Sequence, residues 1–285
     1  MKHLHRAPLV SVFVLLALLL VACGGGGTTA TGSNTSSGST PTAASQSPVT
    51  LNVFAAASLT ESFNDIATQY HVSHPNVTLK YNFNGSQLLV QQIISGAPAD
   101  VFASADTTNM KKASDAGLVN DSKIFVQNKL TVVIPASNPG NITTLKDLAK
   151  KGEKIVVAAP SVPVGKYGLQ VLDNMGKSSE YGPSYESAVK ANFVSQEENV
   201  KAVVQKVQLG EADAGIVYRT DVTNAIINKV KLIDIPDNFN VIAQYPIAVT
   251  KNSTHAAEAQ DFVQYILSSG GQATLEKYRF ITTSK

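Results

Sequence analysis

Residues 52–67 read NVFAAASLTESFNDIA, and the fold is read from the transition they contain. Val53 and Phe54 suit a strand, three alanines follow, and Leu59, Phe63, Ile66, Ala67 and Tyr70 then fall on one helical face. A strand that ends in a side-chain-poor corner and passes directly into a helix is the opening of an α/β unit. The corner itself supports two readings. Ser58-Leu59-Thr60-Glu61 fits the S-x-x-E capping box, in which the serine satisfies a helix amide and the glutamate reaches back. The same alanines and free helix N–H groups would also let a backbone close around an anion.

Outward from this stretch, strands and helices alternate. Val77, Leu79, Tyr81 and Phe83 have the period of a half-buried strand, and Leu89 and Ile93 stripe a short helix that Gly96 can end. A strand is expected at Asp100–Ala103, a helix around Met110 and a buried strand at Leu130–Ile134. The pattern then repeats: a helix over 144–150, a strand at 155–159, a helix after Gly165 and a strand at 191–194. Val200, Val203, Val204 and Val207 stripe a further helix, and Ala214–Tyr218 is a strand followed by another helix. Strands at 231–235 and 241–249 precede a last helix carrying Phe262, Val263, Ile266 and Leu267. This alternation predicts parallel α/β sheets with helices on both faces, and 285 residues allow about two such lobes. Periodicity does not locate crossings between lobes and is equally met by one large sheet.

Four corners share one design, a strand, small residues and a helix start: FAAASLTE (54–61), FNGSQLL (83–89), AAPSVPVGKYG (158–168) and SQEENVKAV (195–203). Each aims uncompensated N–H groups outward, where the helix dipole favours negative charge. For Gly85-Ser86 the plainer reading is a turn glycine with a serine cap. Other chemistries find less support. His71 and His74 lie three apart without a carboxylate cluster and read as a surface pair rather than a metal site. No G-x-S-x-G elbow, P-loop or G-x-G-x-x-G is present. A net charge of +2 offers no basic field for nucleic acid.

The chain contains one cysteine, which excludes an internal disulfide. A basic start (Lys2, His3, His5, Arg6) is followed by an apolar run, Leu9–Val21, that falls short of the roughly 20 residues a membrane span needs. Leu20-Val21-Ala22-Cys23 resembles the bacterial lipobox, which implies cleavage of residues 1–22 and a lipid on Cys23. Residues 23–48 are mostly Gly, Ser, Thr and Ala, a flexible tether with a reach of about 25–30 Å. The expected location is therefore extracytoplasmic, held to the membrane by lipid alone, at the periplasmic face or cell surface.

Taken in order, VFAAASLTESFNDIATQY, GAPADVFASAD, VPVGKY, EENVKAVVQKVQLGEADAGIVY and YPIAV resemble the periplasmic molybdate-binding proteins, the solute receptors of ABC transporters. The resemblance spans nearly all of residues 49–285. It implies a two-lobed periplasmic-binding-protein fold of type II, a Venus flytrap whose α/β lobes close about a hinge. Residues 49–132 with 246–285 would form lobe 1 and 133–245 lobe 2, with crossings near Val133 and Tyr245. Ser58 and Ser86 match the ligand-binding serines, Val164 and Val200 match amide donors, and Tyr218 matches a tyrosine whose hydroxyl completes the cage. Gly85 stands where relatives often carry serine, and Val164 where alanine is common.

What the resemblance implies is a non-catalytic monomer that needs no cofactor. It captures molybdate, and tungstate with it, and passes the oxyanion to a membrane permease with its cytoplasmic ATPase. No side chain would coordinate the metal directly. The chemistry suits this reading. Molybdate is a dianion that only accepts hydrogen bonds, whereas phosphate carries a proton and calls for an acceptor, and none of the matched positions is acidic. On this reading Ser58 both caps the helix and binds, while Lys166 and Arg219 sit at the cleft rim and steer the anion. Three alternatives stand beside it: a sulfate receptor, a Ser58-dependent extracytoplasmic hydrolase and a surface sensor.

Overall fold

The computed structural model describes residues 47–283. The expected signal peptide, the lipidation residue Cys23 and all but the last two positions of the tether lie outside the described residues. Among the described residues, no helix is long and apolar enough to cross a membrane.

Strand β1 (Val49–Ala56) is buried from Val53 onward, and α1 (Thr60–Ser73) lays Phe63, Ile66 and Tyr70 against it. The chain continues through β2 (Val77–Asn84), α2 (Ser86–Ile94), β3 (Val101–Ala103), α3 (Thr107–Asp115) and β4 (Lys123–Asn128). After Lys129 it enters a second sheet with β5 (Leu130–Pro135), β6 (Ile155–Ala158), α4 (Pro163–Gly176), α5 (Tyr185–Lys190), β7 (Phe193–Glu197), α6 (Val200–Gln208), β8 (Ala214–Tyr218) and β9 (Val230–Asp234). It then returns to the first sheet as β10 (Ala243–Val249), followed by α7 (Ala256–Leu267), α8 (Ser269–Lys277) and β11 (Ile281–Thr282).

The strand orders are β11-β4-β10-β3-β1-β2 and β7-β6-β8-β5-β9. Each sheet has a parallel core, β2-β1-β3 and β7-β6-β8, extended on one side by antiparallel strands. A single residue separates β4 from β5, too little chain for the helical crossover that parallel neighbours require. This is the α/β, two-lobed, type II arrangement. The residues named as crossings, Val133 and Tyr245, lie inside β5 and β10, while the sheets exchange at Lys129 and between Asp234 and Ala243.

Register decides what reaches the cleft. Ala56 pairs with Asn84, Ala55 with Ala103 and Ala158 with Glu197. The corners after β1, β2 and β3 therefore open at one level, as do those after β6 and β7. Both sets lie at the carboxyl ends of parallel strands, where ligands of open α/β sheets bind.

Two expected helices are shorter than predicted. Residues 145–149 form a 3-10 turn, with Thr144 and Asp147 capping each other. After Tyr218 there is only a 3-10 turn at Arg219–Asp221, since Thr, Val and Asn at 220–224 lack helix propensity. Strand β4 and helices α5 and α8 were not expected. Gly270 lies within α8, which Ser268 caps by accepting from Gly271 N–H.

Candidate functional site

The strand-end corners of the two sheets meet around one narrow pocket that opens to solvent. Ser58, Ser86, Val164, Val200 and Tyr218 all line it, so the structure brings together every predicted ligand-binding position. Among the described residues no charged side chain lines it.

Ser58 lies in a 3-10 turn, Ala57–Leu59, that precedes α1. This turn moves the helix start to Thr60, with Leu59 at the N-cap and no side-chain cap. The expected capping box is therefore absent. Glu61 is drawn instead to Lys201 Nζ at 2.7 Å, and Ser58 Oγ lies 2.9 Å from Tyr245 Oη in the core. Ser58 is thus released from helix capping. Ser86 does not cap either. It is the first residue of α2, Gly85 holds the N-cap, and Ser86 Oγ accepts from Ala105 N–H at 2.9 Å.

Tyr218, at the end of β8, is buried, and its hydroxyl makes no hydrogen bond among the described residues. Burial, then the neighbouring Tyr245, pushes its pKa well above the usual phenol value, so it keeps its proton. An unpaired buried hydroxyl costs about 1–3 kcal/mol unless something occupies the cavity to accept from it. The other two predicted positions offer backbone N–H groups. Val164 follows Pro163 in the first turn of α4, where no side chain caps the helix. Val200 opens α6, where Asn199 Oδ1 accepts from Ala202 N–H and leaves the Val200 N–H uncapped. Such first-turn amides lack intrahelical partners and carry the positive end of the helix dipole.

The lobes are tied across the cleft. Gln87 Nε2 donates to the Glu198 carbonyl at 2.9 Å, Lys166 Nζ to Asp106 Oδ2 at 2.6 Å and Thr108 Oγ1 at 3.0 Å, and Lys201 Nζ to Glu61. Lys166 and Arg219, expected at the cleft rim, both face acidic partners here. The Lys166 charge is spent on buried Asp106, and Arg219 lies 3.9 Å from Asp234 beside a different hollow. His74 meets Asp261 at 2.8 Å and stacks on Tyr70. Among the described residues no group of three or more His, Cys, Asp or Glu is placed to hold a metal ion.

Residue-by-residue reading missed Asn128 and Tyr245 as part of the site. Tyr245 stands within the motif YPIAV, but nothing local in the sequence ties it to Ser58, which is 187 residues away.

Residues 51–281 match the family model described as bacterial extracellular solute-binding protein. The chain is 36% identical over 246 residues to a molybdate-binding protein, ModA, of Mycobacterium tuberculosis, covering 86% of this chain and 89% of that one. It is 30% identical over 240 residues to the ModA of Escherichia coli, covering 81% and 88%. Among solved structures it is similar to a substrate-binding domain attributed to a molybdenum ABC transporter of Clostridium difficile. The TM-score there is 0.62 and the identity 33%, covering 83% of this chain and all of that one.

Proposed function

Because the chain belongs to the bacterial extracellular solute-binding protein family, we propose that it is a receptor for molybdate, and for tungstate with it, that delivers the oxyanion to an ABC permease. The observation that carries the reading is the convergence of Ser58, Ser86 and Tyr218 with the first-turn amides of Val164 and Val200 on one uncharged cavity. A tetrahedral dianion needs donors on all sides and no proton acceptor. Each hydrogen bond to a charged acceptor contributes about 1.5–3 kcal/mol, enough in sum to offset ordering and closure. The relatives' names supply the choice of molybdenum among dianions.

The protein is a solute-binding protein and not an enzyme. Among the described residues Ser58 Oγ bonds only a tyrosine hydroxyl, and Glu61, the one carboxylate near it in sequence, is committed to Lys201. The lobes turn on the two crossings, Lys129 and residues 235–242, and the closed form is the one the permease recognises. Processing before Cys23 and lipidation there hold this monomer at the outer face of the membrane.

Calorimetric titration of residues 46–285, which form one compact unit, tests the reading. Tight one-to-one binding of molybdate and tungstate, with sulfate and phosphate weak, is expected. Tight sulfate binding with weak molybdate would reassign the substrate, and silence towards all four would remove the oxyanion reading. For the anchor, Cys23→Ser is expected to move the protein from the membrane fraction to the soluble one.

A further inference from the structure

Ser58 can donate to an anion only if its proton is not already spent, and the surrounding hydrogen bonds decide this. Lys129 N–H donates to Asn128 Oδ1 at 2.9 Å, which fixes the orientation of that amide. Asn128 Nδ2 then donates to Thr220 Oγ1 at 2.8 Å and to Tyr245 Oη at 3.3 Å. An amide nitrogen cannot accept, so of the groups hydrogen-bonded to Tyr245 Oη in good geometry among the described residues only Ser58 Oγ, at 2.9 Å, can take its proton. Ser58 Oγ is thereby made to accept, and its own proton is left for the cavity it lines.

Resting on the oxyanion-receptor reading, we propose that Tyr245, held by Asn128, is a positioning residue that fixes Ser58 as a hydrogen-bond donor and biases the cage towards fully deprotonated anions. Ser86 is set the same way by a different group, since its oxygen accepts from Ala105 N–H. Both serines thus have a lone pair engaged from behind and a proton facing the cavity. Molybdate, which only accepts, meets two aligned donors. Hydrogen phosphate must place its proton against a wall whose serines are turned to donate. Burial, and then Asp221, raise the Tyr245 pKa, so the relay keeps its proton across the physiological range.

The test is a double-mutant cycle on residues 46–285, with calorimetric affinities for molybdate and phosphate. Phe at 245 keeps the ring contacts with Phe125, Tyr218 and Phe280, so Tyr245→Phe is expected to fold, with a ligand-free melting temperature a few degrees lower for the two buried hydrogen bonds it loses. It should weaken molybdate about tenfold in the wild-type background and less than twofold in the Ser58→Ala background. The wild-type preference for molybdate over phosphate should narrow about tenfold in Tyr245→Phe. An equal loss in both backgrounds, or no loss in either, would overturn the relay while leaving the receptor reading intact. If the wild-type chain binds sulfate in place of molybdate, the same cycle run with sulfate decides. Failure of the wild-type chain to bind any oxyanion overturns both.

Discussion

Tyr218 and Asp221 are three residues apart and show opposite ways in which a buried polar group can be left short. Among the described residues Tyr218 Oη makes no hydrogen bond, yet Tyr218 lines the cavity, so its cost is recovered when an acceptor arrives there. Tyr218→Phe should therefore weaken molybdate by roughly 10–100-fold, the loss of one hydrogen bond to a charged acceptor, and leave the ligand-free melting temperature within about 2 °C. Thermal melts with and without molybdate check both parts. Asp221 has no such outlet. One carboxylate oxygen accepts from Tyr218 N–H, and the other has only Lys201 Nζ at 3.5 Å. Burial pushes its pKa up to about 6, with Lys201 opposing and Glu61 adding to the rise. The folded value lies above the unfolded one, so the native state binds the extra proton between about pH 4 and pH 6. Stability from this group is therefore present below about pH 4 and lost as pH rises through about 6. Denaturant unfolding of wild type and Asp221→Asn is expected to diverge across that window by about 3 kcal/mol at most, with the difference flat above pH 7. An unchanged difference from pH 4 to 7 would show that Asp221 titrates normally.

Helix starts decide this site, and they are where sequence reading succeeded and failed. The valine stripe of α6 and the strands β1, β2 and β8 were legible because one face is buried at a regular period. The capping box at Ser58 was misread because a 3-10 turn and a sequence-distant lysine, Lys201, competed for the same groups. Strand β4 was missed because Lys123 and Gln127 break its apolar run, and only pairing with β10 and β11 makes it a strand. The Asn128–Tyr245–Ser58 chain was out of reach because its members meet only through sheet topology. Gly85, the N-cap of α2, carries a further consequence at this scale. Its backbone angles suit any residue, so its lack of a side chain is not needed for the local fold. A Cβ there would run into the Glu198 carbonyl at the start of α6 and into the Gln87 side chain. The glycine therefore matters where α2 and α6 meet across the cleft. Gly85→Ala is expected to leave ligand-free stability and circular dichroism unchanged while weakening molybdate roughly tenfold or more. Wild-type affinity in Gly85→Ala would mean that the lobes need not approach this closely.

Closure of the whole molecule is stabilised by contacts that never touch the cavity. Lys166 reaches from α4 to Asp106 before α3, and Lys201 reaches from α6 to Glu61 in α1, one pair on each of two elements whose first turns line the cavity. Both lysines remain partly exposed, at 31% and 26%, so each pair is screened by salt and is worth on the order of 1 kcal/mol. Such contacts exist only when the lobes are together. Their loss should leave the encounter of anion and open cleft unchanged and appear in the rate of escape. For the Lys166→Met and Lys201→Met pair combined, stopped-flow measurements should give an association rate within about twofold of wild type and a dissociation rate raised roughly tenfold. Small-angle scattering of the same variant with saturating molybdate should show a population more open than the wild-type complex. The charge-steering alternative predicts the reverse, a slower association with dissociation unchanged, because a lysine that guides the anion acts before closure and not after it. The rate that moves therefore separates a latch from a guide.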